Sequence, residues 1–215
     1  MVLLLEEIYK IKKPQYSQHF NLRVQRGLSW LKKSIELDQE LEFKFISLWI
    51  SFNSIHAHEG AANPEQHCLH QFLEQLCQKD VDQKLSHIVW EKYSQPILSL
   101  LDSPYTDQGF WDYRHHKISL QSCQEALAQQ KHQLQQTLQE RNLSKILFAI
   151  FNRLSTLHQQ MLQGGTTCHS ALNRKQLQDG CRVLAALMPV FIHILLENSA
   201  ALDSGKPFYP AVQMS

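Results

Sequence analysis

The sequence predicts an all-α protein, a single-domain bundle of about six to eight helices. Its 215 residues contain only 7 Gly and 7 Pro, which disfavours collagen-like repeats and turn-rich β-sandwiches. Hydrophobic residues make up 43% and charged residues 19%, a balance typical of a compact chain rather than a disordered one. We assign residues 1–17 to an N-terminal segment, 18–200 to the helical domain and 201–215 to a C-terminal tail.

The first two predicted helices follow from apolar spacing. The first covers residues 18–37, where apolar residues recur three or four positions apart at Phe20, Val24, Leu28, Leu31 and Ile35. The second covers residues 41–55 and should be the central helix, because apolar residues lie on nearly all of its sides: Phe43, Phe45, Ile46, Leu48, Trp49, Ile50 and Phe52.

The later elements follow from breakers and composition. A loop over residues 59–64 should end at Pro64, which suits the first turn of a helix. Gly164-Gly165 should end a strong helix, and a kink is expected near Pro189. The predicted helices span residues 65–79, 81–101, 118–139 (Gln-rich and solvated), 144–163 and 173–198, with a connecting loop over residues 103–109.

Charge and cysteine usage bear on location. The formal charge is +1, so the whole chain has no strong attraction for nucleic acid or membranes. Five Cys without a CxxC pair favour reduced thiols in the cytoplasm. The apolar start, residues 1–5, runs into Glu6-Glu7 without a basic leader, unlike a secretory signal. Residues 183–196 are shorter than the ~20 apolar residues of a membrane span, so we expect a buried core helix and no membrane contact.

A basic surface is predicted on the first long helix. No acidic residue occurs between Ile8 and Ile35. The candidate RNA-binding residues are Arg23, Arg26, Trp30 and Lys33, because cations that follow phosphates and an aromatic ring that stacks on a base suit a single strand. The alternative is a basic outer face that only maintains solubility.

Several common sites are disfavoured. The chain has no GxxxxGK[ST], GxGxxG, HExxH or GxSxG motif. Histidines lie near Cys68 at positions 56, 58, 67 and 70, but their spacing does not match a zinc finger. No metal and no cofactor is therefore predicted.

One pair of residues could support RNA cleavage without a metal. Arg153 and His158 form an Arg-x4-His pattern in which the guanidinium could stabilise phosphorane charge and the imidazole could transfer a proton. Five residues amount to about 140° of helical rotation, which separates the two side chains. Taken alone, His158 is better interpreted as a semi-buried side chain with satisfied contacts.

Three groups of residues resemble the HEPN superfamily, in particular its Apea-like branch. They are the segment at residues 26–35, the segment at 48–53, and the run from residues 151–154 through Gly164-Gly165 to 173–174 and 179–180. The resemblance covers most of residues 20–200. It implies an α-helical bundle that usually forms a homodimer and is often a metal-independent ribonuclease of toxin–antitoxin or antiviral systems; other members only bind RNA, nucleotides or proteins.

The catalytic signature of the family is altered in this chain. The resemblance implies Arg, often Asn, and then His after four to six residues, just before Gly-Gly. At the positions that the resemblance assigns to Arg, Asn and His, this chain has His158, Gln159 and Gln163. Glutamine does not titrate near neutral pH and cannot act as a general base, so weakened or lost cleavage is expected.

Three functions remain open from the sequence. The first is a HEPN-like RNA-binding or interaction module of a defence or toxin–antitoxin system, acting as a homodimer or with a protein partner. The second is an active metal-independent endoribonuclease that uses His158 with Arg153 or Arg174. The third is a structural protein that docks a partner, with Phe208 and Tyr209 of the tail lying in a groove.

Overall fold

The computed structural model describes residues 1–56, 65–171, 173–207 and 209, and for residues 65–67 the backbone alone. Eleven α-helices lie in these ranges, and none of the described residues forms a β-strand, so the all-α prediction is confirmed. Eight of the eleven contain nine residues or more, which agrees with the predicted six to eight.

The helices follow one another along the chain with short connections. They are α1 (Val2–Lys12), α2 (Gln18–Glu36), α3 (Leu41–His56), α4 (Glu65–Lys79), α5 (Lys84–His87), α6 (Ser94–Asp102), α7 (Gln108–Arg114), α8 (Leu120–Gln139), α9 (Leu143–Leu162), α10 (Arg174–Glu197) and α11 (Ser199–Leu202). Six long helices begin and end within two residues of the positions predicted from the sequence: α2, α3, α4, α8, α9 and α10. The predicted loop over residues 59–64, with its restart at Pro64, lies outside the described residues.

The predicted continuous helix over residues 81–101 is wrong. The structure has α5, a π-helical turn over Ile88–Lys92, and then α6. Pro96 explains the break, because proline has no N–H to continue the helical hydrogen bonds, whereas it is tolerated in the first turn of α6. The predicted loop over residues 103–109 contains a 3₁₀ turn, Pro104–Thr106, and the beginning of α7.

The chain divides into two compact units. Unit 1 comprises Met1–Leu85 and Leu184–Ser215, and unit 2 comprises Ser86–Val183. Residues 1–17, predicted to precede the domain, include α1, whose Leu5 and Tyr9 are buried.

Unit 1 has α3 as its central helix. Phe52 of α3 contacts the rings of Phe72 in α4 and Phe191 in α10, with centroids 6.3 and 6.4 Å away. The α2 and α3 helices approach closely at Gly27, whose carbonyl accepts a hydrogen bond from Ser51 Oγ at 2.7 Å.

Two apolar residues predicted in the core of these helices lie at the surface instead. Ile35 is 57% exposed and Phe43 is 56% exposed. Ile35 lies in the last turn of α2 and Phe43 in the first turn of α3. Each therefore lies next to the α2–α3 connection, where a side chain is not surrounded by other helices on all sides.

Unit 2 is organised around α9. The buried residues of this helix are Ile146, Leu147, Ile150, Phe151, Leu154, Thr156 and Leu157. The Gln-rich α8 has Cys123 as its only buried residue, so its prediction as a solvated outer helix is confirmed. Gly164, with φ +70°, ends α9, and Gly165 N–H donates to the Gln160 carbonyl at 2.8 Å, the hydrogen bond of a Schellman C-cap.

The α10 helix is the only described helix that is long and apolar enough to cross a membrane by length and composition. It is longer than the apolar stretch recognised in the sequence. In the structure, however, 78% of its most apolar 18-residue window is buried, which agrees with the predicted core helix. Pro189 lies inside it.

Candidate functional site

Arg153, the arginine of the Arg-x4-His pattern, forms a buried ion pair in unit 2. Its Nη1 donates to the Asp107 carboxylate, and its Nη2 donates to Gln130 Oε1 at 3.4 Å. The two side chains of the ion pair are 14% and 6% exposed. Asp107 also caps α7, because its Oδ1 accepts the Phe110 N–H at 3.2 Å. Arg153 thus connects α9 to α8 and to the N-terminus of α7.

His158, five residues further along α9, is half-buried. Burial lowers the pKa of its imidazole from the usual 6.5, because the charged form loses hydration. Burial therefore favours the neutral imidazole. Among the described residues, the polar partners of Arg153 are Asp107 and Gln130, and His158 is not one of them. The structure does not assemble an Arg153–His158 pair.

The end of α9, where the resemblance described above predicts a catalytic histidine, is held by amide hydrogen bonds. Gln163 is the exposed C-cap residue. Gln160 Nε2 donates to the Tyr105 carbonyl at 2.6 Å, and its Oε1 accepts from Asn173 Nδ2 at 3.1 Å. Arg174 begins α10 and is half-buried.

The predicted basic face on α2 in unit 1 is present at three of its four positions. Arg26, Trp30 and Lys33 share one side of the helix because they are four and three residues apart. The Trp30 ring is 39% exposed. Lys33 Nζ forms an ion pair with Glu36 at 2.9 Å, and Arg26 Nη1 donates to the Tyr209 carbonyl at 2.6 Å.

The prediction that Arg23 lies on this exposed face is wrong. Arg23 is only 2% exposed, and its Nη2 lies 3.2 Å from Asp203 Oδ1. It also donates to Ser204 Oγ and, at 3.4 Å, to the Ile55 carbonyl. Burial lowers the pKa of its guanidinium, and the Asp203 carboxylate opposes that shift.

Arg23 is buried because it lies beside Phe20 and Gly27 at the edge of the apolar arc of α2. The carboxylate that permits its burial comes from a residue 180 positions later in the chain. No spacing rule within α2 could have located that partner. Sequence analysis likewise missed Asp107, although an Asp three residues before Phe110 is an N-cap signal.

The histidine group near Cys68 is only partly described. His56 is buried and stacks on Phe52, with ring centroids 4.5 Å apart. The His58 and His67 side chains lie outside the described part of the chain. Tyr209 is 74% exposed, and its predicted neighbour in the groove, Phe208, also lies outside the described residues.

The chain matches no protein-family model, no curated protein and no solved structure.

Proposed function

We propose that this protein is a HEPN-like RNA-binding module of a cytoplasmic defence or toxin–antitoxin system, without effective ribonuclease activity. The proposal is carried by Trp30, an exposed ring between Arg26 and Lys33 on one side of α2. Single-stranded nucleic acids are bound by aromatic rings that stack on bases and by cations beside them that follow the backbone. We call Arg26, Trp30 and Lys33 the α2 face.

The residues at the candidate catalytic positions argue against cleavage. Arg153 is engaged by a buried carboxylate, so its charge already has a partner. Gln163 cannot exchange a proton near neutral pH, and burial disfavours the imidazolium form of His158. Gln163 therefore cannot act as a general acid or base, and burial disfavours the protonated form of His158 that a general acid requires.

Binding is tested by fluorescence anisotropy of a labelled single-stranded RNA about 12 nucleotides long, within the usual site sizes. Trp30→Ala should weaken binding by about 1–3 kcal/mol, roughly 5- to 150-fold in Kd. Arg26→Gln should reduce the slope of log K against log salt by about 0.7.

Lys131→Gln is the matched control, because it removes one exposed cation from the outer helix α8. This variant should bind RNA like the wild type. No binding by the wild type, or equal weakening by Lys131→Gln and Arg26→Gln, would contradict a specific role of the α2 face.

The alternative function, a metal-independent endoribonuclease, has a direct test. Gln163→His restores the family signature in part, at an exposed helix end that accommodates the substitution. RNA cleavage by Gln163→His but not by the wild type would support position 163 as that of the family's catalytic histidine and would explain the lost activity by its replacement with Gln. Cleavage by the wild type that is abolished in His158→Ala would favour the alternative.

We further propose that a second copy of the chain covers one side of α1. Leu4 and Ile11 are 57% and 75% exposed and, seven residues apart, share one side of the helix. The HEPN resemblance implies a homodimer. Sedimentation equilibrium should show a dimer for the wild type and a monomer for Leu4→Gln/Ile11→Gln, with Leu120→Gln on α8 as the control; a monomeric wild type would contradict dimerisation.

A further inference from the structure

The chain after α11 lies against α2 and contacts one residue of the α2 face, Arg26. Residues 203–207 and 209 form what we call the C-terminal strap. Asp203 Oδ2 accepts a hydrogen bond from Ser17 Oγ at 2.6 Å, at the beginning of α2. Further along the helix, the Tyr209 carbonyl accepts from Arg26 at 2.6 Å. The strap therefore runs from the N-cap of α2 to a cation of the α2 face.

The first part of the strap is firmly held. Arg23, which is 2% exposed, contacts both the Asp203 carboxylate and Ser204 Oγ. Ion pairs that bury an arginine are costly to break, because the remaining charge is left without compensation. We therefore expect residues 203–204 to stay in place when ligands bind.

The second part of the strap contacts the α2 face through a backbone carbonyl, that of Tyr209. Gly205 has φ +81°, a conformation that glycine adopts readily, and it separates the two parts. Pro207 is buried, whereas Tyr209 is 74% exposed. Arg26 binds a neutral carbonyl there, and among the described residues no carboxylate pairs with it.

A phosphate would be a stronger partner for Arg26 than that carbonyl. A phosphate adds the attraction of opposite charges and can accept two parallel hydrogen bonds from one guanidinium, whereas the Tyr209 carbonyl accepts one from Arg26 and carries no charge. The strap thus occupies Arg26 with a partner that an RNA backbone can replace, while the Arg23 contacts retain the chain nearby.

We propose that the Tyr209 carbonyl of the strap competes with RNA for Arg26, so that the chain limits its own RNA binding. This inference rests on the proposed RNA-binding function. If the strap occupies Arg26 for about nine-tenths of the time, the apparent Kd is raised ~10-fold over that of the open face. Release of the strap should therefore increase affinity without any change in the α2 face.

The test compares RNA affinity for the full chain and for a chain ending at Gly205. The truncation keeps Asp203 and Ser204, so the contacts of Arg23 remain. We expect the truncated chain to bind the labelled RNA roughly 3- to 10-fold more tightly. In the Arg26→Gln background the same truncation should give no gain, because the contested cation is absent.

A competing peptide and a second variant test the same competition without relying on the truncation alone. A peptide of residues 206–215, added at about millimolar concentration, should weaken RNA binding by the truncated chain. Full-length Pro207→Gly loosens the strap without deleting it and should also bind more tightly than the wild type, with circular dichroism confirming that each variant is folded.

The outcomes separate the two proposals. RNA binding that is equal in the full and truncated chains, or weaker in a folded truncated chain, would overturn the competition and leave the RNA-binding proposal intact. No RNA binding by any variant, the truncated chain included, would overturn the RNA-binding function and the competition with it.

Discussion

Replacement of Arg153 by methionine should destabilise unit 2, because Arg153 is a structural residue in our interpretation. Methionine retains most of the apolar stem, whereas the guanidinium and its bonds to Asp107 and Gln130 are lost. Asp107 would then remain only 6% exposed, without a cation beside it. A buried carboxylate without a partner is strongly unfavourable.

The expected loss is about 2–4 kcal/mol. Removal of one partner from a buried ion pair costs about 3–5 kcal/mol when both groups are fully desolvated. Arg153 is 14% exposed, and Asp107 keeps its hydrogen bond from the Phe110 N–H, so the expected loss is about 1 kcal/mol below that range. Asp107→Asn should remove the charge while an amide oxygen can still cap α7.

The measurement is urea unfolding followed by circular dichroism, arranged as a double-mutant cycle. Arg153→Met/Asp107→Asn should lose less stability than the sum of the single variants, because the orphaned charge is absent. Arg114→Met, an exposed arginine of the same unit, is the control and should stay within about 0.5 kcal/mol of the wild type. A similarly small effect of Arg153→Met would refute the structural role of Arg153.

Three further changes test the packing and the titrating groups. Gly27→Ala should lower the free energy of unfolding by about 1–3 kcal/mol, because the added Cβ would lie 2.7 Å from Ile55 Cγ2. Thermal unfolding measures this loss, and a stability equal to that of the wild type would show that α2 and α3 can move apart without cost. The free energy of unfolding should decrease as the pH is lowered from 7 to 5, because His158 is protonated near pH 6.5 in the unfolded chain whereas burial lowers its pKa in the folded chain. His158→Gln should reduce this dependence of stability on pH. An unchanged dependence would argue against the burial effect. Burial, with a contribution from Glu197, raises the pKa of Tyr16 to about 12, so the free energy of unfolding should decrease as the pH rises from 10 to 12. Tyr16→Phe should reduce this loss of stability. An equal loss in both chains would contradict the raised pKa of Tyr16.

The helices were largely predictable because their signals are local. In α9, apolar residues at helical spacing and the Gly164 C-cap locate both the buried side and the end of the helix. The break between α5 and α6 was missed because apolar spacing continues across it. Pro96, read as a first-turn residue, would have indicated the restart of α6 at Ser94.

The candidate site was less predictable because its contacts are distant in sequence. Arg23 and Arg26 look alike on α2, but only Arg23 meets a carboxylate, that of Asp203. Arg153 lies 46 residues from Asp107, so no helical pattern could assign it to an ion pair rather than to a phosphate. Helical spacing places a side chain on one side of its own helix, whereas the partner depends on how separate segments pack.

RNA binding by the α2 face and the absence of cleavage are tested together by end-labelled RNA in excess EDTA. The same samples are run on a native gel, which detects the complex, and on a denaturing gel, which detects cleavage. We predict that the wild type shifts the RNA and leaves it intact, and that Trp30→Ala at the same concentration shifts a smaller fraction of it. RNA cut by the wild type and left whole by His158→Ala, or no shift at all by the wild type, would contradict the proposed function.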